Sequence, residues 1–384
     1  MNRLLKGTIT LPGSKSESNR ALMIAAYGGF PLEVDGLSDA HDTVLLKNLL
    51  SATSLRAQRS NPLVVERVDC EDAGTVARFM LTYLAGRPGT WTLTGTKRLC
   101  ERPMAPLIDA LRQLGADIAG DGLPLKIVGR PLKGGTVTLD ASLSSQFASS
   151  LLMAAPTWEQ GLRLTLTGKP VSMPYLEMTV KMMEYYGVRV IWEGNTITVP
   201  HQSYQSRPFK VDADWSAASY WYEMLALSEG GDLLLKGLKL DSLQGDAVVA
   251  EWFKPLGVLT AFDSDGARLT KIAARPQNLV FDFTDTPDLF PAVYATCFAL
   301  GVDAVFRGTA SLADKESNRL EAMKNELSRI KGGMTLCTYG DHRLAMALAA
   351  LWPVYGPVKV DNPSVVNKSY PLFWESLKDF FPNP

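Results

Sequence analysis

Seven basic residues stand near glycines or prolines where a helix is about to begin: Lys15, Arg20, Arg102, Lys315, Arg319, Arg343 and Lys368. The densest case is LPGSKSESNRALMIAAY, in which a Pro12–Gly13 turn exposes Ser14, Lys15 and Ser16 and an apolar helix is expected from about Asn19. Backbone N–H groups at a helix start, with Lys15 and Arg20 beside them, form an anion site. Arginine suits a carboxylate through paired N–H groups, and lysine suits a phosphate as a point charge. In DAGTVARF (72–79) the absence of a side chain at Gly74 lets a ligand approach the backbone. TKRLCERPM (96–104) sets Arg102 before Pro103 at an expected helix start, and SLSSQF (142–147) offers the hydroxyls of Ser144 and Ser145 and the amide of Gln146.

The second half carries the remaining candidates. TDTPDLFPA puts Asp288 where a helix should start, ADKESNRLEAM clusters Lys315, Glu316 and Arg319, YGDHRLAMALAA sets Asp341, His342 and Arg343 before an apolar helix, and NPSVVNKSYP leaves Lys368 on a loop. Taken singly, each reads equally well as a capped surface helix or a solvated charge. Their recurrence at one kind of position argues for a cationic pocket in which Asp288 and Glu316 are an acidic minority able to move protons.

Such a pocket has to be local, because the 384 residues carry 39 basic and 40 acidic side chains and a formal net charge of −1. A nucleic-acid binder normally shows a basic excess, so no nucleic-acid partner is expected. Cys70, Cys100, Cys297 and Cys337 form no C-x-x-C pair, the three histidines are scattered, and neither a zinc site nor a disulfide framework is expected. The N-terminus lacks the apolar run of a signal peptide, and the apolar stretch 290–300 is too short to cross a bilayer. A cytoplasmic protein with reduced thiols is the expectation.

The elements that must position these residues repeat. An amphipathic stretch ending in glycine and followed by a β-rich run occurs at Gly115, Gly187 and Gly257, with a fourth copy near Gly332, at intervals of roughly 70 residues. Short alternating runs at 90–96, 135–142, 162–168 and 195–200 read as strands. The class is therefore α/β (α+β), built of repeated units. The length favours two domains of roughly 150–200 residues each. Boundary signals lie at Pro12–Gly13 and in the stretch 200–208, so the first residues would pack with the C-terminal half. Residues 51–68 break the pattern and look like a replaced loop.

In order and spacing, GSKSESNR, AGT, ERPM, SSQF, VSMPY, the Asp of DADWSAASYW, TPD, KES-R and DHR-AM resemble the 5-enolpyruvylshikimate-3-phosphate synthases from about residue 7 to residue 380. The resemblance implies two similar domains of repeated βαβαββ units (an inside-out α/β barrel), residues 14–211 and 1–13 with 212–384, and an active site in the cleft between them. It implies transfer of the enolpyruvyl group of phosphoenolpyruvate to shikimate 3-phosphate by a monomer, with no metal or organic cofactor. Phosphoenolpyruvate would be held by Lys15, Gly74, Arg102, Gln146, Arg319, Arg343 and Lys368. Shikimate 3-phosphate would be held by Lys15, Ser16, Arg20, Ser144, Ser145, Gln146, Ser172, Asp288 and Lys315. Catalysis would fall to Lys15, Asp288 and Glu316, and glyphosate would compete with phosphoenolpyruvate.

Several positions depart from that pattern. Asp72 stands where Asn is usual, Phe79 where Pro is common and Met173 where Lys is usual, while Ser311 and Ala313 replace a commonly polar or basic pair before Lys315 and Asn318 replaces the usual Asp. The chain also lacks about a strand pair before Asp72 and another between Gly332 and Tyr339. Two alternatives stay open on the sequence: a paralogue that binds shikimate 3-phosphate without turnover, and an enolpyruvyl transferase acting on a UDP-sugar.

Overall fold

The computed structural model describes residues 4–31, 33–57, 65–331 and 334–381. They fall into two compact units. One comprises the chain up to Lys15, Gly36–His41 and everything from Val211 onward, and the other comprises Ser16–Asp35 and Asp42–Lys210.

Three sheets of identical order give the repeat its physical form. In the second unit, Val65–Asp69 runs parallel to Gly89–Thr94, which pairs antiparallel with Leu125–Gly129 and through it with Asp117–Ala119. Gly135–Asp140, Leu162–Thr167, Thr196–Val199 and Ile191–Glu193 repeat that order. In the first unit the order is Leu4–Thr10, Gly230–Lys236, Gly266–Lys271 and Val258–Phe262. Each hairpin follows a glycine with positive φ, at Gly115 (91°), Gly187 (85°) and Gly257 (100°), where the chain leaves a helix or helical turn and doubles back. In the fourth copy Gly332 itself lies outside the described residues, but the helix Arg319–Ser328 before it is present, and the strand Thr335–Leu336 after it pairs in parallel with Lys359–Val360 instead of opening a hairpin.

Three other parallel pairs have only two strands: Phe209–Lys210 with Val34–Asp35, Leu279–Asp282 with Ala304–Arg307, and Thr335–Leu336 with Lys359–Val360. Among the described residues no hairpin extends them. Of the stretch 51–68, residues 51–57 close the helix His41–Ala57 and 65–68 belong to the strand Val65–Asp69. Residues 58–64 lie outside the described residues.

Strands such as Gly135–Asp140 and Leu162–Thr167 alternate buried and exposed residues, so their sheets wet one face. The helices supply the interior. Every residue of Trp215–Leu227 is buried, and nearly every residue of Gly74–Ala85 and Ser145–Ala154. A helix apolar on all sides can only be an inner layer. Helix starts consequently sit where the interior meets solvent, and the site residues cluster there. No helix among the described residues is long and apolar enough to cross a membrane.

Candidate functional site

In the first unit the site is organised around one guanidinium. Arg319 opens the helix Arg319–Ser328, which Asn318 caps by accepting the Glu321 N–H at 3.4 Å. Asn and Asp cap about equally well, so the departure at 318 keeps the helix start intact. Arg319 is 1% exposed and meets three carboxylates: Nε donates to Asp341 Oδ2 at 2.9 Å, Nη1 to Asp288 Oδ1 at 2.7 Å and Nη2 to Glu316 Oε2 at 3.0 Å. Arg343 Nη2 donates to the other oxygen of Asp288 at 2.6 Å, and Lys368 Nζ lies 3.7 Å from Glu316 Oε1. Asp288, Glu316, Arg319, Arg343 and Lys368 therefore form one connected patch. Lys368 is buried at the end of the 3-10 turn Pro363–Lys368, not on an open loop.

Local folding explains these directions. Tyr339 and Gly340 are both left-handed (φ 53° and 69°) and turn the chain so that Asp341 caps the helix His342–Ala349. Asp341 Oδ1 accepts the Arg343 N–H at 2.9 Å, while Oδ2 takes Arg319 Nε and, at 3.1 Å, the Ser317 hydroxyl. One buried carboxylate thus aims both arginines. Burial pushes the Asp288 carboxyl up, but Arg343, Arg319 and Lys315 outweigh it and hold the group well below the usual carboxylate range. Burial likewise pushes His342 well below its ordinary value, with Lys15 and Arg343 adding to it, so the imidazole is neutral. Neither ring nitrogen finds a hydrogen-bond partner among the described residues.

Lys15 begins the helix Lys15–Gly28, four residues earlier than expected. The helix start also carries an internal anion: the Lys15 N–H donates to Asp214 Oδ2 at 3.2 Å, and the Ser14 N–H to the Asp212 carbonyl at 2.8 Å. Asp214 in turn caps Trp215–Leu227. Below it, Ser216 donates to Asp246, which is 2% exposed and has its other oxygen without a hydrogen-bond partner. Burial pushes the Asp246 carboxyl up to about 7, with Asp288 adding to the shift and Arg343 opposing it.

The second unit carries a different set. Gly74 opens the helix Gly74–Ala85. A Cβ there would meet Arg78 Nη1, and would lie 2.7 Å from Arg102 Nη1. The expected approach at Gly74 is thus an approach by two arginines. Arg102 ends the short helix Lys97–Glu101 and precedes Ala105–Gln113, so it sits in the elbow between them. Gln146 Nε2 donates to Thr75 Oγ1 at 3.0 Å, while its Oε1 is buried without a hydrogen-bond partner. Ser144 caps Ser145–Ala154 by accepting the Gln146 N–H at 3.2 Å, which leaves its own hydroxyl proton to donate.

Arg20 is more deeply committed than the sequence suggests. Its guanidinium is 2% exposed and donates to Thr179 Oγ1 (2.7 Å), the Ser16 carbonyl (2.9 Å), the Tyr175 carbonyl (3.0 Å) and Ser149 Oγ (3.5 Å). With five N–H groups, one is left for a ligand. Phe79, one of the departures, lies under this guanidinium at 5.8 Å. Ser172 holds a left-handed backbone (φ 57°) at the start of Met173–Tyr185, a conformation that costs of order 1–3 kcal/mol in a non-glycine residue and is concentrated at functional sites.

Sequence reasoning misses Arg78, Ser149 and Thr179, along with Ser317, Asp246 and Tyr220, whose hydroxyl accepts from Arg343 Nη1 at 3.5 Å. It read Asp341 and Asp214 only as parts of motifs. Helix-start positions were the available signal for Asp214 and Asp341. No local signal marked the others, which act across distant segments. No group of three or more His, Cys, Asp or Glu among the described residues is placed to hold a metal ion.

Helices buried beneath repeated βαβαββ sheets, with basic side chains gathered at their starts, define an α/β protein built to handle small anions. A family model described as EPSP synthase (3-phosphoshikimate 1-carboxyvinyltransferase) matches residues 2–377, and the chain belongs to that family. It is 41% identical to a Bacteroides fragilis protein named 3-phosphoshikimate 1-carboxyvinyltransferase, over 97% of this chain and 95% of that one. It is 33% identical to the Syntrophobacter fumaroxidans protein of the same name, over 97% of each. A solved EPSP synthase from Acinetobacter baumannii shares the fold, with a TM-score of 0.75 at 23% identity over 99% of this chain and 97% of the other.

Proposed function

We propose that this chain, as a member of the EPSP synthase family, transfers the enolpyruvyl group of phosphoenolpyruvate to the 5-hydroxyl of shikimate 3-phosphate and releases phosphate. The observation that supports this best is the buried patch in which Arg319 and Arg343 share Asp288, with Glu316 bound to Arg319 and facing Lys368. It joins cations suited to a phosphate and a carboxylate with two carboxylates able to move protons.

Phosphoenolpyruvate is assigned to Lys15, Gly74, Arg102, Gln146, Arg319, Arg343 and Lys368. Shikimate 3-phosphate is assigned to Lys15, Ser16, Arg20, Ser144, Ser145, Gln146, Ser172, Asp288 and Lys315. In the addition step the 5-oxygen bonds to C2 of phosphoenolpyruvate, its proton passes to Asp288, and the C3 methylene takes a proton from Glu316. In the elimination step the new methyl group returns a proton, the C2–O bond to phosphate breaks and inorganic phosphate leaves. Lys15 shares in the proton traffic. Cations fixed in place by Asp341 stabilise the developing charge without reorganising. The four described cysteines are free thiols, which fits a reducing, cytoplasmic location.

A coupled assay for phosphate release tests the reading. Release that requires both substrates supports it. Tight binding of shikimate 3-phosphate without release would favour a paralogue without turnover, and activity on a UDP-sugar would favour the other superfamily reaction.

A further inference from the structure

Asp288 presents a chemical difficulty that the geometry resolves. A general base works best when its proton affinity lies near the working pH. Both oxygens of Asp288 are instead occupied by charged donors, Arg319 Nη1 at 2.7 Å and Arg343 Nη2 at 2.6 Å. Clamped in this way, the carboxylate is too weak a base to take a proton from an alcohol.

We propose that Asp288 is a substrate-gated base: its carboxylate and the anionic groups of phosphoenolpyruvate are rival ligands of Arg319 and Arg343, and the arrival of phosphoenolpyruvate releases Asp288 to act. The inference rests on the substrate assignment above.

Three features carry it. First, the two carboxylates with proton-transfer roles make the short bonds to the outer N–H groups of the arginines: Asp288 on both guanidinium groups at 2.7 and 2.6 Å, and Glu316 on Arg319 Nη2 at 3.0 Å, where Asp341 Oδ1 is only a 3.5 Å contact. Second, the number of anions matches. Phosphoenolpyruvate brings a carboxylate and a phosphate, and the patch holds two displaceable carboxylates. Third, the remaining carboxylate is built to stay. Asp341 is fully buried, holds Arg319 chiefly through Nε at 2.9 Å with a longer contact to Nη2 at 3.5 Å, and is pinned by the Arg343 N–H and the Ser317 hydroxyl. When Asp288 and Glu316 let go, Asp341 keeps Arg319 in place and aimed. Shikimate 3-phosphate bound alone would then meet a silent base, and proton abstraction would wait for the acceptor of the new bond.

The test is isothermal titration of the full chain with inorganic phosphate and, separately, with phosphoenolpyruvate. Asp288→Asn keeps the side chain's shape and removes the competing charge. It should bind both anions about tenfold more tightly or better, since close charge pairs couple by roughly 1.5 kcal/mol or more and each 1.4 kcal/mol is a factor of ten. Turnover should fall in the same variant. Glu316→Gln should shift affinity in the same direction by a smaller factor, and it serves as the readout should Asp288→Asn not fold. Unchanged or weaker anion binding in the folded variants overturns the proposal. The rivalry and the reaction fail separately: inorganic phosphate reports on the arginines whether or not the wild-type chain turns over its substrates.

Discussion

Asp341→Ala removes the carboxylate that orients both arginines, and the structure sets the size of the effect. Losing the cap on Arg343 N–H costs about 1 kcal/mol. Removing one partner of a buried ion pair costs roughly 3–5 kcal/mol when nothing replaces it. Here Asp288 and Glu316 still face Arg319, so about 2–3 kcal/mol is the better figure. The orphaned Ser317 hydroxyl adds about 0.5–1 kcal/mol. The total is about 3.5–5 kcal/mol, and at roughly 2–4 °C per kcal/mol for a unit of this size Tm falls by roughly 7–20 °C. Asp341→Asn separates the contributions: its amide oxygen still caps Arg343, while its NH2 group opposes a donor from Arg319 or Ser317. Scanning calorimetry should therefore rank wild type above Asn and Asn above Ala, with kcat falling in the same order. A Tm loss under about 2 °C in Asp341→Ala, or an Asn variant no better than Ala, would refute the assignment of Asp341 as the organising anion.

Gly74→Ala pushes a Cβ to 2.7 Å from Arg102 Nη1 and 3.0 Å from its Cζ, at a cost of about 1–3 kcal/mol. KM for phosphoenolpyruvate should rise about 5- to 150-fold, and a change under about twofold contradicts the crowding. Lys15→Met should abolish turnover, since Lys15 is assigned to both substrates, and a near wild-type rate in that variant defeats the assignment. Asp246→Asn should stabilise the chain increasingly as pH rises. The folded-state carboxyl near 7 binds its proton more tightly than an unfolded Asp near 4, so the wild type loses stability between about pH 4 and 7, up to roughly 4 kcal/mol. A Tm difference between variant and wild type that stays flat from pH 5 to 8 refutes this. Glyphosate should raise the apparent KM for phosphoenolpyruvate without changing kcat, and inhibition independent of phosphoenolpyruvate concentration speaks against a shared site.

Much of the fold could be read in the sequence because its signals are local. Glycine after an amphipathic stretch, as at Gly115 and Gly187, dictates a left-handed exit, and alternating runs such as GTVTLD dictate a sheet wet on one side. The strand readings at 90–96, 135–142, 162–168 and 195–200 agree with the observed strands to within a residue or two. The first helix starts at Lys15, ahead of its apolar run, because the polar stretch Lys15–Ser18 is helical too, with Glu17 and Ser18 buried. The candidate patch was legible as a list of residues but not as a network. Nothing local shows that Asp341 holds Arg319, or that Asp288 bridges two arginines 31 and 55 residues away. Arg20 shows the same limit: its partners Ser149 and Thr179 are 129 and 159 residues distant, and no spacing rule connects them.

The parallel pairing of Leu4–Thr10 with Gly230–Lys236 has a consequence for biogenesis. When Leu4–Thr10 leaves the ribosome, its partner strand is still more than two hundred residues from being made. At about 5–20 residues per second that is a delay of tens of seconds. Meanwhile the segment from Ser16 to Lys210, which contains all the strand partners of its own sheets, has emerged and can fold. For that interval the segment lacks the strand it pairs with, and Leu5 and Ile9, which end 2% and 3% exposed, lack their cover. Translation pauses between the codons of these two strands would lengthen this exposure, and a bulky group placed directly before Leu4 would obstruct the pairing that ends it.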